Sequence, residues 1–300
     1  LSSSSAASDV YKRQPLRTAL KLCPHAVFLP VDYEAYSAVS EKFKSVLLAC
    51  TPLMENAGID EAFLDISELS ETPESIAAKI KNGIKEKTSL TCSIGMAGNK
   101  LLAKIASDMQ KPDGLTIINE GDIENKIWPL PIRKLYGIGP KTESHLKSMS
   151  IETIGQLAAQ TLDTLIENFG ESYGQYLYEA SRGIDESEVI THWEPKSISR
   201  ETTFQEDVKN WQVIARTLAQ LTKDVVADLQ DEGYAARTIT IKIRFSDFQT
   251  LTRAKTLTGH TDSEEELRKA AFACLKRVEL KKRVRLIGVR TTNLEKMNND

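Results

Sequence analysis

Apolar positions recur along this chain with two periods, and their order sketches the fold. Residues 18–24 read as a short helix ended by Pro24, and residues 26–31 as a short apolar strand. Between 32 and 49, Tyr36, Val39, Phe43, Val46 and Leu47 return at helical spacing, which predicts a helix with those side chains in the core. Residues 58–67 are a compact apolar run and read as a buried or half-buried strand. Residues 73–86 form an amphipathic pattern with Ile76, Ala77, Ile80 and Ile84 inside, and residues 90–97 a second strand. Asn99 can cap a helix over Lys100–Met109, whose Leu101, Leu102, Ile105 and Met109 make the buried face, while Lys100 and Lys104 share another. The turn Lys111-Pro112-Asp113-Gly114 leads into a strand over residues 115–118. Strand, helix, strand, strand, helix, strand predicts helices packed on one side of an antiparallel or mixed sheet.

Residues 119–187 lack strand patterns and read as several short helices. Within them, Leu135-Tyr136-Gly137-Ile138-Gly139-Pro140-Lys141-Thr142 places two glycines between helices and a proline at a first helical position. This resembles the helix-hairpin-helix of DNA-binding proteins. Glycines admit a phosphate close to the backbone, and the following helix start offers N–H groups. Residues 184–199 are acidic, then mixed, and aperiodic, as in a linker.

Beyond lie a strand (197–204) and a long helix (207–230) with Trp211, Ile214, Leu218, Leu221, Val225 and Leu229 on one stripe, closed by Gly233. Next, Ile239, Ile241, Ile243 and Phe245 alternate with Thr240, Lys242 and Arg244, the signature of a half-buried strand. Residues 249–257 make another strand, with Arg253 and Lys255. Ser263 and Glu266 form a capping box for a helix to about Val278, and Lys281-Lys282-Arg283 leads into a last strand, 284–292. The result is an α+β unit whose sheet carries Lys and Arg on one face.

Composition narrows the function. No apolar run approaches the roughly 20 residues that span a membrane. Four cysteines, none in a Cys-x-x-Cys pair, argue against a zinc site or disulfide framework and for a cytoplasmic setting. Residues 1–14 are Ser/Ala-rich, with no basic stretch before an apolar one, so they read as disordered or foreign sequence rather than a signal peptide. Net charge is −3, but its distribution is uneven. Residues 1–195 hold 19 Lys and Arg against 27 Asp and Glu; residues 196–300 hold 20 against 15. The basic excess of the last third suits a surface lying along phosphates.

The chemistry centres on residues 58–67, which carry adjacent carboxylates at Asp60 and Glu61 and a third at Asp65. Buried carboxylates are usually paired or metal-bound. Strand neighbours point to opposite faces, so Asp60 and Glu61 share a site only at a bend, which Gly58 permits. Clustered carboxylates repel each other, and divalent cations remove that cost; Mg²⁺ prefers carboxylate oxygen and water. Two ions about 4 Å apart can activate a nucleophile and stabilise a leaving oxygen in phosphoryl transfer. A solvated strand end is the alternative.

Ile59-Asp60-Glu61-Ala62-Phe63-Leu64-Asp65-Ile66-Ser67 resembles the palm motif of the Y-family DNA polymerases, the translesion enzymes. Ser93-Ile94-Gly95, Asn99-Lys100, residues 103–109 and Lys111-Pro112-Asp113-Gly114 are similar to the second half of that palm. Lys196-Ser197-Ile198-Ser199-Arg200-Glu201 resembles the entry of the little-finger domain, and Arg285-Leu286-Ile287-Gly288-Val289-Arg290 its last strand. The resemblance covers 15–294 and implies an α+β, multi-domain Y-family architecture: a remnant of fingers (15–29), palm (30–118), helical thumb with the hairpin (119–187), linker (188–196), little finger (197–294) and tail (295–300).

It also implies low-fidelity, template-directed DNA synthesis on damaged templates, with primer–template DNA and deoxynucleoside triphosphates as partners, in a monomer. Asp60 and Glu61 would hold two Mg²⁺ ions, with Glu61 a catalytic carboxylate, and Lys111 would contact the triphosphate. Gly137, Gly139, Lys141, Thr142, Arg200, Lys242, Arg244, Arg253, Lys255, Arg285 and Arg290 would face DNA. The family's first metal-binding aspartate lies in an N-terminal Asp-x-Asp-x-Phe-Phe-like stretch, beside the aromatic that excludes ribonucleotides. Here only Asp9 precedes Pro15, in a Ser/Ala context, and the triphosphate-binding Tyr and Arg of the fingers have no counterpart. Nor does Asn298-Asn299-Asp300 supply the motif that docks the full-length protein on a sliding clamp. The expectation is an N-terminally truncated, inactive fragment of a polymerase. The rivals are a non-catalytic DNA-binding protein that retains a degenerate polymerase fold and a nucleotide cyclase, which would need neither hairpin nor basic terminal domain.

Overall fold

The computed structural model describes residues 15–297, so the expectations for residues 1–14 and 298–300 lie outside it. The chain forms two compact units, Leu1–His192 and Trp193–Asp300.

The first unit opens with α1 (Leu16–Leu22) and α2 (Tyr33–Cys50). Asp32 caps α2 by accepting from the Ala35 N–H at 2.9 Å. Between the two helices, residues 26–31 are irregular rather than a strand, with Val27 and Leu29 84% and 81% exposed. Pro30 removes one donor there, and among the described residues no ladder pairs with the segment. Tyr36 is likewise exposed, not core; Leu47 is buried, and Phe43 and Val46 pack beside it. α3 (Pro73–Thr88) starts on a Thr72 cap with Pro73 in its first turn and buries Ile76, Ala77, Ile80 and Ile84 as its pattern predicts.

The strands are shorter than their apolar runs and do not form one sheet among the described residues. β1 (Met54–Asn56) and β2 (Ala62–Leu64) make an antiparallel pair, Met54 opposite Leu64. β3 (Ile94–Met96) and β4 (Leu115–Ile117) make a separate parallel pair, crossed over by α4 (Lys100–Met109). An apolar run marks a strand's place but not its partner, which explains the overextended sheet; Leu90 and Ile59, read as strand, are exposed. Asn99 caps α4 at the Leu102 N–H, 2.9 Å away, and Leu101, Leu102, Ile105 and Ala106 are buried, whereas Met109 faces out.

β3 lies against α4 so closely that a Cβ on Gly95 would sit 2.1 Å from the Ala103 carbonyl oxygen and 2.3 Å from the Ser107 nitrogen. Backbone cannot yield as a side chain can. Gly95→Ala should therefore lower unfolding free energy by about 3 kcal/mol, the upper end for overpacking. Gly98→Ala, where a Cβ meets nothing within 4 Å, should stay within about 0.5 kcal/mol. Denaturant melts of the two variants check both; equal melts would refute the packing.

The elements of residues 119–181 are helices joined by short turns: 3-10 turns at Glu120–Asp122 and Ile132–Lys134, a π turn at Ile123–Ile127, then α5 (Pro140–Ser148), α6 (Ile154–Ala158), α7 (Leu162–Phe169) and α8 (Glu171–Ser181). Their core, from Ile118 to Ala180, includes the buried face of α4.

The second unit is β5 (Ser197–Val208), α9 (Trp211–Asp231), β6 (Tyr234–Phe245), β7 (Thr250–Thr261), α10 (Glu264–Leu275) and β8 (Val284–Lys296). The element order matches the sequence pattern, but several ends differ. α9 begins at Trp211 rather than 207 because Asn210 accepts from the Gln212 and Val213 N–H groups, and Trp211 is exposed rather than part of the buried stripe. α10 ends at Leu275, short of Val278. β5, β7 and β8 outrun their apolar runs through exposed and half-buried residues. All ladders are antiparallel in the order β5-β8-β6-β7, and Ile239, Ile241 and Ile243 are buried in one core with both helices.

Candidate active site and nucleic-acid interface

In the first unit the chain bends at residues 58–60, ahead of β2, as sharing a site requires. The Gly58 N–H donates to the Glu61 carbonyl at 3.1 Å, closing the bend, and Asp60 and Glu61 stand exposed beside it. α4 receives the hairpin's acids on its lysine face. Lys104 Nζ lies 2.5 Å from Glu61, and Lys100 Nζ 2.8 Å from Glu55 on β1. Helical spacing predicts the shared face of those lysines but not their partners. Lys44 faces Asp60: burial lowers its pKa, and the Asp60 charge works against that shift. Asp65 does not join this group. Its carboxylate accepts from the Ser67 N–H at 2.9 Å, and hydrogen bonds from the Ser67 side chain and backbone hold its pKa below the usual range. Among the described residues no group of three or more His, Cys, Asp or Glu could hold a metal.

Glu55 was not foreseen. Burial alone would push its carboxyl up, but the Ile190 N–H and the Lys100 ammonium hold it below the ordinary range. The segment after α8 is thereby tied to α4. Asp185 accepts from the Leu101 N–H at 2.9 Å, Asn99 donates to the Gly183 carbonyl at 2.7 Å, and Lys100 donates to that of Glu188 at 2.7 Å. A carboxylate at a helix N-terminus also complements the helix dipole.

Lys111 projects from the turn into β4 and pairs with Asp108. The turn is held by Lys81 of α3, whose ammonium donates to the Cys92 carbonyl at 2.7 Å, the Asp113 carbonyl at 2.8 Å and the Asp113 carboxylate at 2.5 Å. These fill all three of its donors. Asp113 adopts a left-handed φ of 57°, and a Cβ on Gly114 would come within 1.9 Å of the Gln110 carbonyl oxygen.

The hairpin loop joins the 3-10 turn Ile132–Lys134 to α5. Gly137 has φ of 83°, Gly139 is the N-cap, and Pro140 opens the helix. Ile138 is buried between the glycines, and Lys141 is exposed. A cleft lined by Lys104, Asp108, Arg133, Lys134, Tyr136 and Gly137 runs beside the loop, so the lysine that holds Glu61 also borders the hairpin.

In the second unit, ladder register divides the basic residues that the sequence placed on one face. Residues opposite each other in a ladder point to the same side. Arg290 stands opposite Thr240, and Lys242 and Arg244 share that parity, so these three lie on the face away from the helices. Arg253 stands opposite buried Ile241 and Lys255 opposite buried Ile239, on the helix-covered side. Arg200, opposite Val289, is on that side too and makes two bonds to Asp228 of α9, at 2.6 and 2.7 Å. Arg285 falls where the β6–β8 register shifts, over the Phe248 ring at 4.9 Å. On the open face Lys242 pairs with Glu201 at 2.8 Å, whereas Arg290 donates to the Ser197 hydroxyl and Arg244 to that of Thr250, both at 2.9 Å. Alternation within β6 was legible, but register between strands is written in no single strand.

The architecture is that of a Y-family polymerase: a Y-family DNA polymerase chimera of known structure superposes with a TM-score of 0.83 at 25% identity, covering 95% of this chain and 83% of that one. Family models agree along the chain: impB/mucB/samB family over residues 1–108, DNA polymerase-iota thumb domain over 133–185, and impB/mucB/samB family C-terminal domain over 195–300. DNA polymerase IV of Methanoculleus marisnigri is 42% identical over 288 residues, 95% of this chain and 80% of that protein. DNA polymerase IV of Moorella thermoacetica is 39% identical over 285 residues, covering 93% and 71%. The chain belongs to the Y family of DNA-directed DNA polymerases.

Proposed function

We propose that the chain binds primer–template DNA and carries the greater part of a lesion-bypass polymerase site, with Asp60 and Glu61 as acids of a two-Mg²⁺ centre. The observation that carries this reading is the bend that brings two adjacent carboxylates out beside the lysine face of α4, in a chain of this family. Exposed carboxylate oxygens suit a hard cation. Bound there, the ions would supply charge neutralisation at the transferring phosphoryl group. Lys111, held by the Lys81-braced turn, would orient the triphosphate. Lys104 would keep Glu61 in place until substrate binds. The hairpin loop and the open face of the second unit would track the backbone phosphates. Residues 30–118, 119–187 and 197–294 would then serve as palm, thumb and little finger.

The described residues offer two acids at the bend and no third, so we propose that this chain alone binds DNA without extending a primer. Primer extension with Mg²⁺ checks it, comparing this chain with the same chain preceded by the family's N-terminal strand and fingers. Extension is expected from the second only. Comparable extension by both would mean the acids are misassigned.

A further inference from the structure

Three consecutive carbonyls in the hairpin loop each accept from a side chain of the same unit. The Tyr136 carbonyl accepts from the Tyr176 hydroxyl at 2.5 Å, the Gly137 carbonyl from the Tyr173 hydroxyl at 3.1 Å, and the Ile138 carbonyl from Arg133. Both tyrosines stand on α8 with rings stacked 5.8 Å apart and 12° from parallel. In a planar trans peptide the N–H points away from the carbonyl that precedes it. Holding the Tyr136 carbonyl therefore aims the Gly137 N–H away from Tyr176, and holding the Ile138 carbonyl aims the Gly139 N–H away from Arg133. The middle peptide differs: the Ile138 N–H already donates to the Leu135 carbonyl at 3.2 Å, inside the loop. Gly137, moreover, fits only as glycine here, since a Cβ would lie 3.1 Å from the Tyr176 hydroxyl at a φ of 83°. Burial raises the Tyr176 pKa to about 12, so it remains a proton donor throughout the working range.

We propose that Tyr176, with Arg133, is a positioning residue for DNA phosphate: it locks the hairpin peptides so that the Gly137 and Gly139 amides stay turned away from the groups that hold their carbonyls and open to backbone phosphate. Tyr173 is assigned no such role: the amide it orients is already taken, and the only other hydrogen bond of its hydroxyl among the described residues is a long one, 3.5 Å, to the Thr142 hydroxyl. The inference rests on the reading of the hairpin as a DNA contact.

The test compares Tyr176→Phe, Tyr173→Phe and Lys141→Ala in the full chain. Each is titrated with primer–template DNA across a salt series, well below that variant's measured melting midpoint so that unfolding does not enter. Both Phe variants keep the ring and lose one hydroxyl, so a merely structural role would treat them alike. Tyr176→Phe should weaken binding roughly fivefold, the scale of one hydrogen bond. Its slope of log K against log salt should flatten by up to about 0.9, one phosphate contact. Tyr173→Phe should remain within about twofold of the parent. Equal losses in the two Phe variants would overturn the inference. So would an unchanged Tyr176→Phe beside a weakened Lys141→Ala, which would leave the hairpin reading standing. If Lys141→Ala also binds with the parent's affinity and slope, the hairpin reading fails, and the inference with it.

Discussion

Asp60→Asn and Glu61→Gln should each reduce primer extension by at least about a thousandfold in an extension-competent form of the chain, the scale for removing charge at a transferring phosphoryl group. Both side chains are exposed at the bend. The substitutions should therefore cost no more than about 0.5 kcal/mol of stability. Glu61→Gln is the more incisive test. A glutamine oxygen can still accept from Lys104, so the bond that now spans 2.5 Å has a replacement and the bend keeps its shape. Only the negative charge disappears. DNA affinity at fixed salt should stay near the parent's, since neither acid carries the positive charge that binds backbone phosphate. Turnover close to the parent's in either variant would end the assignment of these acids.

The second large effect concerns salt. Residues 193–300, which enclose their own core, should bind primer–template DNA alone, with affinity falling steeply as salt rises. Replacing Lys242, Arg244 and Arg290 together by alanine should flatten the slope of log K against log salt by about 2.7, three phosphate contacts at 0.9 each. Arg200→Ala should change the slope far less. Its guanidinium is already bound twice by Asp228, which raises its pKa, and it lies on the helix side of the sheet. Binding that ignores salt, or an equal effect from Arg200→Ala, would contradict this division of the sheet.

The contrast between Arg200 and Arg290 shows where sequence reading stops. Both are arginines in strand patterns of the same basic domain. Only the pairing of β5 and β8 tells which face each takes, because a ladder joins residues about 90 positions apart. Local signals fared better: Asn99 capping α4, Pro140 opening α5 and the 3.6-residue period of α3 were legible because each is decided within a turn or two of the chain. The bend at Gly58 was legible for the same reason. Its companions were not. Glu55, Lys81 and Asp185 read as ordinary surface charges, and each gains its role from a partner 32 to 135 residues away. Residues 26–31 failed in the opposite sense: apolar character predicted a strand that Pro30 and the want of a partner among the described residues do not allow.

α4 has a consequence that concerns time rather than shape. One side of it is buried with the helical layer through Leu101, Leu102, Ile105 and Ala106; its lysines grip Glu55 and Glu61; Gly95 of β3 lies against its backbone. Displacing the helix would open that core, release both acids and unseat the parallel strand pair at once. The acid bend, although it lies at the surface, is thus fastened to a cooperative unit whose opening is governed by buried side chains. Its slow fluctuations should share the rhythm of the helical layer rather than that of a free loop.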